Sequence, residues 1–102
     1  MSGGNAKSMH SAVDEVVCPK RSLEILDYLS EHDESNFSTI EDAVPTSSDV
    51  VTERLETLQE YGLVEREERS SRNVRYSLTQ DGETFLTHLE EVDEFLQNSR
   101  GD

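Results

Sequence analysis

The chain has 102 residues, enough for one hydrophobic core and too few for two. Apolar residues are 32% of it, aromatics 6%, and Trp is absent, a thin supply that points to further burial at a subunit interface. Asp and Glu number 23 against 9 Lys and Arg, a net charge of −14 that by itself argues against nucleic acid, because phosphates are met by Lys and Arg.

The first ten residues are small and polar and are expected to be a disordered tail, with a single domain over 11–98 and a second short tail at 99–102. Ala12, Val13, Val16 and Val17 recur at helical spacing before Cys18-Pro19. Pro19 suits a first helical turn, and Leu23, Leu26 and Leu29 continue the pattern with Ile25 and Tyr28 beside them until the polar run His32–Asn36. Ser38-Thr39-Ile40-Glu41 has the form of a capping box, opening a helix of barely two turns that closes before Pro45. Thr46-Ser47-Ser48-Asp49 supplies another capping signal. Val51, Leu55 and Leu58 then place one apolar stripe on a helix to Tyr61, stopped by Gly62. Two helices so joined form a helix-turn-helix unit at about 38–61.

After Gly62 the period changes from helical to two. Val74, Tyr76 and Leu78 alternate with Arg75 and Ser77, and the polar stretch Arg69–Asn73 reads as a turn, so about 63–78 predicts a β-hairpin. Thr79 caps a last helix, about 80–98, on which Phe85, Leu89, Val92 and Leu96 step by four, three and four, with Leu86 and Phe95 flanking. The fold class is therefore mainly α with one β-hairpin.

No apolar run approaches the roughly 18 residues of a membrane span, and Met1–Asn5 lacks a charged-then-apolar leader, so a cytoplasmic location without membrane contact is expected. The lone Cys18 excludes an intrachain disulfide framework and a multi-thiolate metal site. His10, His32 and His88 lack ligand spacing and read as surface residues, so no metal is expected. With no Gly-rich phosphate loop, nucleophile elbow or zinc-protease helix, neither a cofactor nor an enzymatic activity is expected.

Helix, short helix, helix, hairpin and long helix is the element order of winged helix-turn-helix domains. Phe37-Ser38 with Ile40, Ala43 and Pro45, then Ser47, Thr52, Arg54-Leu55, Leu58, Gly62-Leu63-Val64-Glu65-Arg66, and Tyr76-Ser77-Leu78-Thr79 with Gly82 resemble HxlR-type regulators. MarR-, PadR- and ArsR-type winged helices share the Gly-Leu-Val and Tyr-x-Leu-Thr-x-x-Gly parts. The resemblance covers about 37–86, together with Cys18-Pro19. It implies a transcription regulator that binds double-stranded DNA with its second helix in the major groove. The even acidic coat, with only Lys7 and Lys20 as lysines, also resembles proteins of organisms that keep molar salt in the cytoplasm, where the Debye length is about 3 Å.

On that resemblance, Thr46, Ser47 and Ser48 at the helix start suit phosphate oxygens, Thr52 offers a methyl to thymine, and Arg54 meets a phosphate or a guanine edge. The alternative is that Thr46 and Ser47 only cap and Arg54 pairs with a neighbouring Glu. Arg66, Arg69, Arg72 and Arg75 concentrate four of seven arginines in ten residues, whereas 77–102 holds one cation against seven acids. Such a wing, with Asn73 at its turn, suits backbone or minor groove; the alternative is a charged, solvated edge. Asp49 and Glu53 stand where a basic residue would favour DNA.

The resemblance makes Cys18 a candidate oxidant sensor, since a helix start beside Lys20 and Arg21 lowers a thiol pKa. Its alternative is a small buried hydrophobe. Phe85, Leu89, Val92, Phe95 and Leu96 predict dimerisation through the last helix, aided by 11–18. A two-fold dimer would read a palindromic operator. A winged helix turned protein-interaction module is the other reading.

Overall fold

The structure, a computed structural model, describes residues 11–100; the tail expected at 1–10 lies outside them, as do Gly101 and Asp102. Five helices and one hairpin follow in the order α1 (Ser11–Val17), α2 (Lys20–Ser30), α3 (Phe37–Ala43), α4 (Ser48–Glu60), β1 (Val64–Ser70), β2 (Asn73–Leu78) and α5 (Gln80–Arg100). This is a winged helix-turn-helix: α3 and α4 form the unit and β1–β2 the wing.

One core joins these elements, because each contributes the residues its period places on one side. Ile25, Leu26 and Leu29 of α2, Ile40 of α3, and Val51, Leu55 and Leu58 of α4 are almost completely buried, with Val44, Val64 and Tyr76 closing the space. Leu23, Phe37, Val74, Leu78, Phe85 and Leu86 pack around them.

Helix ends follow local chemistry, with two departures from expectation. Asn36, in extended backbone, caps α3 by accepting from Thr39 N at 2.8 Å, so the helix begins at Phe37 and the Ser38–Glu41 capping box does not form. Asn is among the strongest cap formers, and starting two residues earlier turns Phe37 towards the core. Glu41 instead receives the Ser48 hydroxyl across the turn. Pro19 is the N-cap of α2 and not its first helical residue. Ser47 caps α4 as expected, accepting from Val50 N. Gly62 has φ +75°, the left-handed conformation that ends α4 without strain.

The hairpin is antiparallel with Val64 opposite Leu78, Arg66 opposite Tyr76 and Glu68 opposite Val74; the register slips between Glu68 and Ser70, leaving Arg69 as the extra residue of a bulge. The α2–α3 loop adds a short third edge that the sequence pattern does not announce. Ser35 N donates to Tyr76 O at 3.0 Å, and Tyr76 N donates to Ser35 O at 2.8 Å.

The wing meets α5 at a tight joint. Thr79 Oγ1 donates to Gly62 O at 2.6 Å and accepts from Gly82 N at 3.0 Å, while Thr79 N donates to Leu63 O at 3.0 Å. Helix α5 then runs through Arg100, two residues beyond the expected end, so Ser99 and Arg100 are helical and not part of a tail. At about 1.5 Å per residue it is roughly 31 Å long, and its second half leaves the core. The radius of gyration is accordingly 15.5 Å, against roughly 12–13 Å for a compact chain of this length.

Candidate nucleic-acid interface

Helix α4 has two faces. Val51, Leu55 and Leu58 bury one, so Ser48, Asp49, Thr52, Glu53 and Glu56 are left outward on the other. Ser47, Ser48 and Thr52 are exposed, and Thr46 is half-buried. The free surface at the helix start thus consists of short hydroxyl side chains beside two carboxylates. Ser47 and Ser48 already have partners in Val50 N and Glu41, so a phosphate arriving here would compete with a cap and an inter-helix bond.

The arginines divide in a way their spacing does not show. Arg54 Nη2 lies 3.1 Å from Glu53 Oε1 and its side chain is only 19% exposed, which matches the alternative of a pair with a neighbouring Glu. Arg66 lies 3.6 Å from Glu68. Arg69 does not stand free at the wing tip. Its Nη2 lies 2.5 Å from Glu34 Oε2 in the α2–α3 loop and 3.1 Å from Glu67 Oε1, and these bonds hold the guanidinium's pKa above its ordinary value. Arg75 is half-buried and its Nε donates to Asn73 Oδ1 at 3.1 Å, joining those two candidates to each other. Arg72, in the two-residue turn, is exposed and has no carboxylate within salt-bridge distance among the described residues.

The surroundings of Cys18 differ from those its sequence neighbours suggest. It is exposed, between α1 and α2, so it is not a buried hydrophobe. Nor do Lys20 and Arg21 lower its pKa. Partial loss of hydration, a hydrogen bond donated to Asp14 Oδ1 at 3.6 Å and the charge of Asp14 all push the thiol above its ordinary value. Arg21 is engaged elsewhere, with Glu24 at 2.9 Å. The sequence order placed the cations nearby but not the helical turn that brings Asp14 onto the sulfur.

His32 and His88 are exposed, the first stacked on Tyr28 with ring centroids 4.0 Å apart; His10 lies outside the described residues. Among the described residues no three His, Cys, Asp or Glu are grouped to hold a metal ion. No helix there is long and apolar enough to cross a membrane.

On α5 the expected stripe is graded. Phe85 and Leu86 pack against the core and Leu89 is half-buried, whereas Val92, Phe95 and Leu96 are 52%, 67% and 56% exposed. Among the described residues, Val13 on α1, at 46%, is the other large aliphatic side chain so exposed.

Comparison with functionally curated proteins gave no match. Among solved structures, a MarR-family transcriptional regulator from Enterococcus faecalis V583 superposes with a TM-score of 0.76 at 22% identity, covering 98% of this chain and 92% of that one. The reduced form of the transcriptional regulator YodB from B. subtilis gives 0.74 at 24% identity, covering all of both chains. A MarR-family regulator from Porphyromonas gingivalis W83 gives 0.68 at 20%, covering 93% and 95%. At these identities the likeness establishes the winged-helix fold. Family membership comes from the sequence itself, which matches HxlR-like helix-turn-helix proteins over residues 16–101, from the end of α1 through the whole of α5. The chain therefore belongs to the HxlR-like helix-turn-helix family, a family of transcriptional regulators and not of enzymes.

Proposed function

We propose that this regulator is a sequence-specific DNA-binding homodimer, with α4 in the major groove and the wing on backbone or minor groove. The observation that carries the reading is the outward stripe of α4, where Ser47, Ser48 and Thr52 project from a helix whose opposite face is locked into the core. Short hydroxyl side chains let the helix backbone approach base edges closely, and Thr52 presents a methyl as well as a hydroxyl. Arg72 is the wing's available cation. Asn73 and Arg75 hold the strand behind the tip, Thr46 borders the start of α4, and Arg54 lies midway along it.

Dimerisation rests on α5. Burying Val92, Phe95 and Leu96 against a second copy stabilises the assembly by roughly 1.5–3 kcal/mol per side chain, and Val13 of α1 is a further exposed apolar side chain. A two-fold dimer sets two α4 helices about one DNA turn apart, hence a palindromic operator in the cytoplasm.

The acidic setting favours a second reading, a protein-interaction module. Arg54, Arg66 and Arg69 each sit within 4 Å of a carboxylate of this chain, and Asp49 and Glu53 face outward. Selection of bound duplexes from a random pool in molar KCl separates the two. DNA binding predicts an enriched palindrome, a general loss of affinity with Arg72→Ala, and altered preference at one or two base pairs with Thr52→Ala. No enrichment, with the protein folded, supports the interaction module.

A further inference from the structure

Arg69 is the residue that the wing's own geometry sets apart. As the extra residue of the β1 bulge it has no cross-strand partner, and a bulge re-aims a side chain out of the regular alternation. Its guanidinium reaches Glu34, 35 positions away, and also Glu67, which stands opposite Arg75 in the register. The loop carrying Glu34 is fixed there by the paired backbone bonds of Ser35 with Tyr76. Two carboxylates thus hold the positive charge of Arg69 at the flank of the wing, where a basic contact with phosphate would be expected.

We propose that Glu34 and Glu67 clamp Arg69 and withhold it from DNA, so that a phosphate engages the wing there only by displacing Glu34. Glu34 is thus a positioning residue that sets the strength and salt dependence of the wing contact. This rests on the DNA-binding reading for its consequence, although the clamp itself does not. Arg69 and Arg72, three residues apart, then have different tasks: Arg72 meets DNA at any salt, while Arg69 does so once its own carboxylates are screened or displaced.

The test is a binding series on a short fluorescein-labelled duplex of mixed sequence, followed by anisotropy from low to molar KCl. Glu34→Gln should raise low-salt affinity on the order of three- to tenfold and steepen the log–log salt slope by about 0.9 per subunit, the signature of one more neutralised phosphate. In an Arg69→Ala background the same change should add nothing, and Asp33→Asn, which removes an equal charge next door, should have little effect. An equal gain with Asp33→Asn, or in the Arg69→Ala background, overturns the clamp in favour of long-range repulsion. A loss of affinity with Glu34→Gln, the fold being intact, overturns it by showing that Glu34 aims Arg69 at DNA. If no variant binds the duplex, it is the DNA-binding reading that fails. The clamp is then decided by phenylglyoxal modification read by peptide mass spectrometry. Glu34→Gln should speed labelling of Arg69 relative to Arg72 severalfold, and an unchanged ratio refutes the clamp.

Discussion

Replacing Gly82 with Ala tests how α5 is fastened to the wing. In an exposed helix this change would stabilise by about 1 kcal/mol, because Ala is the better helix former. Here the new Cβ would lie 2.4 Å from Leu63 O, 2.7 Å from Leu78 Cδ1 and 2.9 Å from Leu78 Cγ. The Leu78 side chain can rotate away, but the Leu63 carbonyl cannot move cheaply, since it accepts from Thr79 N at 3.0 Å. Relieving the contact means shifting backbone by about an ångström, at an overpacking cost of about 1–3 kcal/mol. Loosening the Thr79 bond adds about 1 kcal/mol. Set against the propensity gain, the net loss is about 1–3 kcal/mol, a fall in Tm of roughly 5–15 °C for a domain of this size. Thermal unfolding by circular dichroism measures it, at matched protein concentration because the proposed dimer would make Tm concentration-dependent. Gly62→Ala is the control. Nothing lies within 4 Å of that position, so only the strain at φ +75° applies, about 1–2 kcal/mol. A Tm for Gly82→Ala equal to or above that of the parent would refute the close-approach argument.

Light scattering in molar KCl should show a dimer at micromolar concentration, and Phe95→Asp with Leu96→Asp should convert it to a folded monomer; a monomeric parent would remove the role assigned to the exposed half of α5. Operator affinity should depend on salt much less steeply than for a basic repressor, since Asp49, Glu53, Glu67 and Glu68 repel phosphate when unscreened. Binding titrations from 0.1 M (about a 10 Å Debye length) to molar KCl check this, and a steep monotonic loss would contradict it. The Cys18 thiol should titrate above its ordinary value, and Asp14→Asn, by removing both the acceptor and the charge, should lower that pKa, enlarge the thiolate fraction at neutral pH and speed alkylation. Equal alkylation rates in the two proteins would show that Asp14 does not control the sulfur.

Most of the fold is legible in short-range pattern. Val51, Leu55 and Leu58 mark the buried face of α4 because a helix repeats within four residues. Val74, Tyr76 and Leu78 mark β2 because a strand repeats within two, and Gly62 stops α4 because only a residue without Cβ takes its φ freely. The outward set at 47, 48 and 52 follows from the same periodicity. The sequence also shows that α5 outlasts the core, since its apolar stripe continues past Leu86.

Only the tertiary structure decided which charges at the wing are held and which are left out. In a chain with 23 acids, six of the seven arginines have a carboxylate within four positions, and local spacing alone does not say which of them will be paired. Packing of the α2–α3 loop against β2 brings Glu34 to Arg69 and leaves Arg72 free, although both arginines read alike as wing residues. The contact of Asp14 with Cys18, by contrast, is local, one helical turn apart. At α3, Asn36 outcompetes Ser38 for the cap because the chain gains by turning Phe37 inward, a burial that exists only once α2 and β2 are in place. Periodicity is a property of one element, whereas the long-range Arg69–Glu34 pair and the choice of cap at α3 depend on how elements meet.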